Sequence, residues 1–251
     1  MILPTLWYGI MFFGLQFPKS ERITMGVSTT QMIRACFKPL FIFMIFCMFL
    51  TAPTELCTNQ WIAELLATVG VPSILLLVFI NGIMTIERAN ASFILKRIST
   101  TGLLLLSAIL SFVVLIGLGY VDGYLSFLAA GIFAVGICFF WPTMNGFVSE
   151  SMPETGPLGL SIMGGAGLLS TSLILPIFSP VYEKQLSNNM PKANTLNMLK
   201  NALPNSSGFA AWQEVKYLAG AHTLLYAAIL PAVLIIAFTI LHWYKLKQAP
   251  L

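Results

Sequence analysis

Long apolar runs separated by short polar breaks set the pattern of this chain. The first run, 1–15, is short for a membrane span, which takes about 20 apolar residues. Six longer runs follow, at about 39–60, 65–86, 102–119, 124–148, 158–179 and 217–243. Runs of this length predict transmembrane helices, so the expected fold class is all-α, a polytopic membrane helix bundle. Pro53, Pro72, Pro142, Pro176 and Pro231 fall inside the runs. Prolines are tolerated there where neighbouring helices or polar side chains satisfy the freed carbonyl.

The polar breaks predict little structure of their own. Within 16–38, residues 28–37 predict a short interfacial helix. The long break 180–216 contains Pro191, Pro204 and Gly208, and Leu196, Leu199 and Leu203 predict one short helix over 194–203.

Composition agrees with a membrane bundle. The chain is 57% hydrophobic and 9% charged, with mean hydropathy +0.86; soluble domains carry about 25% charged residues. The net charge of +4 is modest, and the basic residues sit in loops, which indicates orientation rather than nucleic-acid binding. Lys19, Arg22, Arg34 and Lys38 lie in 16–38, Arg88, Lys96 and Arg97 in 87–101, and Lys245 and Lys247 in the tail. The linkers near 61–64 and 120–123 carry only Glu64 and Asp122. The basic loops and the tail are therefore expected in the cytoplasm, as is 149–157, which holds Glu150 and Glu154. Residues 180–216 are expected outside.

The expected organisation is a partial transmembrane helix at 1–15, a cytoplasmic loop at 16–38, a six-helix bundle at 39–244 and a cytoplasmic tail at 245–251. Lys19 and Arg22 follow the first run instead of preceding it, so it does not read as a signal peptide. It reads as the second half of a spanning helix.

Few side chains offer chemistry. Two histidines, no Cys-x-x-Cys pair and no Gly-rich phosphate loop predict no metal, nucleotide or other cofactor. Cys36, Cys47, Cys57 and Cys138 read as small apolar packers. His242, beside Trp243, Tyr244 and Lys245, reads as part of an interfacial anchor, and His222 as structural. Ser161 and Gly165, and Gly167 and Thr171, lie four apart, a spacing that lets helices pack closely.

The most informative stretch follows Pro39. It is apolar over 40–50, then carries Thr51, Pro53, Thr54, Glu55, Thr58, Asn59 and Gln60. As a helix, it brings Glu55 about 22 Å beyond its start, still inside hydrocarbon about 30 Å thick. Thr51, Glu55, Thr58 and Asn59 share an arc roughly 100° wide. Pro53 cannot donate to the Phe49 carbonyl, which predicts a kink. Two readings of Glu55 stand side by side. A carboxylate at membrane depth marks a substrate or ion path, or it snorkels to the outer interface. Other polar groups within the runs include Asn81, Thr85, Thr143, Asn145 and the serines of 158–179. Such a scatter on helices suits a hydrated cavity holding a small polar ligand. No serine, histidine and acid sit together, so a membrane-embedded enzyme is the lesser alternative.

Two strings carry a resemblance. Phe139-Phe140-Trp141-Pro142-Thr143-Met144-Asn145-Gly146-Phe147-Val148 and Gly156-Pro157-Leu158-Gly159-Leu160-Ser161-Ile162-Met163-Gly164-Gly165-Ala166-Gly167 resemble the tenth and eleventh helices of bacterial major facilitator superfamily transporters, in particular sugar-permease-like members. Thr54-Glu55-Leu56 with Gln60-Trp61 resembles the end of their seventh helix. Asn81-Gly82 and Thr101-Gly102-Leu103 resemble parts of their eighth and ninth. The chain departs from the family after Asn81-Gly82, where Glu87-Arg88 and Ser92 replace a Gly-Arg pair and a further glycine.

The resemblance implies the tail of a sixth helix plus the six-helix C-terminal half of a major facilitator fold. It implies a sugar symporter in the bacterial inner membrane with a cytoplasmic C-terminus, working by alternating access on a small polar solute. Its partners would be that solute, a coupling proton or cation, the lipid bilayer and a separate N-terminal half. On this reading Glu55, Asn59 and Gln60 are substrate or coupling groups, and Asn81, Trp141 and Asn145 line the cavity. The alternative is a transporter fragment with no activity of its own.

Overall fold

The computed structural model describes residues 2–15, 26–67, 73–95, 97–120, 124–190 and 207–248. In chain order the helices are α1 (Ile2–Phe12), α2 (Thr29–Cys36), α3 (Pro39–Ala67), α4 (Ser73–Ala89), α5 (Ala91–Leu95), α6 (Thr100–Leu118), α7 (Tyr124–Ile137), α8 (Phe140–Ser151), α9 (Gly156–Asn188), α10 (Ser207–Ala227) and α11 (Ile229–Gln248). A 3-10 turn, Pro153–Thr155, joins α8 to α9. Among the described residues all regular structure is helical, and five stretches are long and apolar enough to cross a membrane: Pro39–Asn59, Thr100–Leu118, Phe127–Ser151, Pro153–Asn188 and Gly208–Lys247. The chain is an all-α membrane helix bundle.

Helix starts follow local chemistry. Ser28 caps α2: its hydroxyl accepts from the Gln31 amide (3.2 Å), and the Gln31 side chain accepts from the Ser28 amide (2.9 Å). Ser99 caps α6 through the Gly102 amide (3.2 Å). On α6 the buried Leu104, Ser107, Ala108, Ser111, Leu115 and Leu118 recur at three and four residues, so one face meets the core.

α3 is the central helix. It packs against α4, α8, α9, α10 and α11, and Phe41, Met44, Cys47 and Met48 are fully buried along it. α6 packs against α7, α8, α10 and α11. α3 and α8 run antiparallel. Lys38 pairs with Glu154 just beyond α8, and Thr51 Oγ1 lies 3.4 Å from Met144 Sδ. Further along, Glu55 shares a cleft with Trp141. Measured from the Lys38–Glu154 end, Glu55 lies about 25 Å into the bundle at about 1.5 Å per residue.

The prolines act in two ways. α3 runs unbroken through Pro53, and α9 through Pro176 and Pro180. In contrast, the apolar stretch around Pro142 is interrupted at Cys138 and Phe139, and the stretch around Pro231 at Ala228. Each interruption falls three or four residues before the proline, where the missing amide hydrogen and the ring disturb the preceding turn.

Small residues permit close packing at some positions of α9 only. A Cβ on Gly167 would lie 2.7 Å from Trp141 Cη2 and 3.3 Å from Met48 Cε, so the three helices approach closely there. Ser161 and Gly165 instead face outward, and a Cβ on Gly165 would meet nothing within 4 Å. Only 22% of the most apolar window of α9 is buried in the bundle, against 44–61% for the other four stretches.

The run expected over 65–86 is helical up to Ala67 and again from Ser73, with 68–72 outside the described residues. One sequence expectation needs correction. The expected loop 180–216 is partly helical. α9 continues to Asn188 and α10 begins at Ser207, and these extensions share a small cluster in which Tyr182, Met190 and Trp212 surround Leu186, Val215 and Ala219. The helix expected over 194–203 lies outside the described residues. Near the other end of the bundle, Thr101 Oγ1 and His242 Nδ1 lie 2.8 Å apart, and Lys245 Nζ stands 5.2 Å from the Phe147 ring. The α11 end is thereby fastened to α6 and α8.

Candidate functional site

The site begins with a broken backbone ladder. In a regular helix the Cys138 carbonyl would accept from the amide four residues on. That residue is Pro142, which has no amide hydrogen. Arg88 on α4 donates to this carbonyl through Nε, at 3.1 Å. Its Nη2 donates to Glu55 Oε1 on α3, at 3.3 Å. One guanidinium therefore ties α4 to α3 and to the break between α7 and α8.

The pair is unequally placed. The Glu55 side chain is 9% exposed and that of Arg88 is 44% exposed. Arg88 faces an open cleft of about 370 Å³ lined by Glu55, Arg88, Trp141 and Pro142. Trp141 is held by its edge against Gly167 of α9, so its position depends on a glycine there. The cleft thus combines a cation, a carboxylate and an aromatic side chain, a set able to hold a small polar molecule by hydrogen bonds and ring contact.

Several buried oxygen atoms on the three helices that line the cleft have no hydrogen-bond partner. They are Glu55 Oε2, Thr58 Oγ1 and Asn59 Oδ1 on α3, Glu87 Oε2 on α4 and Asn145 Oδ1 on α8. Other buried hydroxyls on α3, α6 and α10 return to their own helix. Thr54 donates to Leu50 (2.7 Å), Ser111 to Ser107 (2.8 Å) and Thr223 to Ala219 (2.7 Å). Unpartnered buried acceptors are costly. Five of the six found among the described residues lie on the helices that line the cleft, the sixth being Gln213 Oε1 on α10.

The sequence candidates divide on this geometry. Glu55 and Trp141 line the cleft directly. Asn59 and Asn145 each lie four residues beyond one of them, on α3 and α8, with a buried unpartnered oxygen. Because the helices are antiparallel, Asn59 and Asn145 extend the polar strip in opposite directions. Asn81 stands apart: it is exposed, and its Nδ2 donates to the Leu77 carbonyl of its own helix at 2.7 Å. It lies seven residues before Arg88, hence on the same side of α4. The side chain of Gln60 is outside the described residues.

Arg88 is the residue that sequence reasoning misplaced. Its charge reads in sequence as a marker of the basic loop 87–101, yet it belongs to α4 and its guanidinium reaches across to the Cys138 carbonyl. A signal was available, since Pro142 announces a free carbonyl and a guanidinium is a natural donor for it. The distance in sequence, 50 residues, hid the pairing. Compared with family models, curated proteins and solved structures, the chain matches none.

Proposed function

We propose that the chain is the C-terminal half of a secondary active transporter that moves a small polar solute, a sugar or related metabolite, by alternating access. The observation that carries this reading is the Glu55–Arg88 pair, its carboxylate buried and its guanidinium half-exposed, opening into the Trp141 cleft. Charged groups at membrane depth belong by default to a substrate or ion path. A site formed between helices near the middle of the bilayer is the arrangement alternating access requires. The outward face of α9 beside this cleft supports a second half, the N-terminal one, as the opposite wall. The proposed setting is the bacterial inner membrane, with the C-terminus in the cytoplasm and a proton or cation as the coupling species.

Equilibrium dialysis tests the reading. A panel of labelled sugars and polyols is presented to the purified chain in detergent. One solute is expected to bind saturably, and Trp141→Leu and Glu55→Ala should each weaken it tenfold or more. Binding of no member, or equal binding by parent and variants, overturns the proposal.

A further inference from the structure

Three of the unpartnered oxygens belong to one stretch of α3. Glu55 Oε2, Thr58 Oγ1 and Asn59 Oδ1 are all buried. Spacings of three and four residues place their side chains as neighbours on one helix face, with Cβ atoms roughly 5–6 Å apart. Glu55 and Thr58 are 7% and 0% exposed. Thr58 is the informative member. A helical threonine readily donates to the carbonyl four residues back, as Thr54 does to Leu50. Thr58 makes no such bond, so its oxygen remains available.

The charges around these oxygens do not balance. Arg88 neutralises Glu55 through Oε1, leaving Oε2 without a partner. Glu87, next to Arg88 on α4, also has a buried oxygen without a partner, on Oε2. Glu87, Arg88 and Glu55 all lie close enough to act on the Cys138 side chain, so this region gathers two carboxylates and one guanidinium, one negative charge in excess. The surrounding atoms are oxygens, the ligand type that hard cations take.

We infer that Glu55, Thr58 and Asn59 form a binding site for a small monovalent cation of the sodium type. One such ion satisfies the three oxygens together and closes the charge balance. A divalent ion would leave an excess positive charge. A proton would neutralise the excess but would sit on one oxygen, supplying one donor where three acceptors wait. As a coupling ion, this cation rests on the transport reading above; as a bound ion, it stands without that reading. Because Glu55 touches both Arg88 and the proposed ion, occupancy would set how firmly Arg88 is held and so alter the cleft.

Binding of radioactive sodium to the full chain in detergent tests the inference. Saturable binding is expected, displaced by unlabelled sodium and not by choline at equal ionic strength. Thr58→Val keeps shape and charge and removes one ligand oxygen, and it should weaken sodium at least tenfold. Glu55→Gln should do the same. Thr54→Val, whose hydroxyl is already used within its helix, should bind as the parent does.

A second readout is thermal unfolding. Sodium should raise the midpoint of the parent and leave that of Thr58→Val unchanged, even if Glu55→Gln fails to fold. Absence of displaceable sodium binding, or parental binding by Thr58→Val, overturns the site. Sodium bound without any sugar in the dialysis experiment keeps this site and removes the transport reading. Sugar bound without sodium does the reverse.

Discussion

Arg88 takes the backbone acceptor that Pro142 leaves open. The proline removes the amide that would have used the Cys138 carbonyl, and Arg88 Nε supplies the missing donor from another helix at 3.1 Å. The same guanidinium is thereby aimed at Glu55. A local defect in α8 thus fixes the long-range geometry of the cleft.

Pro142→Ala tests this relationship. The alanine amide would compete for the Cys138 carbonyl and release Arg88. Helix stability should rise, by up to about 3 kcal/mol, while solute affinity falls about tenfold. Thermal unfolding and equilibrium dialysis on one preparation measure both. A gain in stability with unchanged affinity would detach Arg88's anchor from binding.

Arg88→Met should leave the Glu55 charge without its partner. Removing one member of a buried pair costs about 3–5 kcal/mol, and the half-exposed guanidinium reduces that to about 1–2 kcal/mol. Arg88→Met combined with Glu55→Gln should recover most of the loss. A double variant no more stable than the single one would show that Glu55 and Arg88 are not coupled.

Glu55→Gln keeps shape and hydrogen-bonding ability but lacks a full negative charge and a dissociable proton. In a complete transporter, it should abolish gradient-driven uptake and leave exchange of bound solute largely intact. Uphill uptake at the parent rate would return Glu55 to the snorkelling role.

Gly167→Ala should push Trp141 out of place, since the new Cβ would stand 2.7 Å from its ring. Overpacking of this kind costs about 1–3 kcal/mol, and the Trp141 contribution to fluorescence should shift. Gly165→Ala, on the open face, is the control and should change neither property. Equal effects at both positions would contradict the packing described for α9.

Topology is checked with reporters. One fused after Lys247 should report the cytoplasm, and one inserted near Asn201 the outside. Both on the same side would mean that the number of crossings between them is even.

The helices were legible because long apolar runs and capping residues act locally: Ser28 with Gln31 is readable within four residues. Glu55 was legible as a polar residue at membrane depth, and its neighbours Thr58 and Asn59 as members of its face. Arg88 was not, because a loop charge and an anchor between helices look alike in sequence. The extension of α9 past Pro180 was also obscured. Polar composition there suggested a loop, but Leu186 packs against Val215 and Ala219 across the hairpin. Asn81 shows the opposite failure, a polar residue in an apolar run that uses its own helix carbonyl.

The Glu55–Arg88 pair also bears on how the chain enters the bilayer. The two charges belong to the helices α3 and α4, next to each other in the chain, and lie 33 residues apart. An isolated arginine at mid-bilayer costs about 2.5–3.5 kcal/mol to insert. Arriving as a hairpin, each charge can cancel the other before α8 has been synthesised. The Cys138 carbonyl joins only later, when the break at Pro142 reaches the membrane. On this order of synthesis, Arg88 is expected to pair first with its neighbour Glu55 and only later with the Cys138 carbonyl. A glycosylation-reporter assay should show poorer integration of the α3–α4 hairpin when Arg88 alone is replaced by aspartate, and recovery when Glu55→Lys is added.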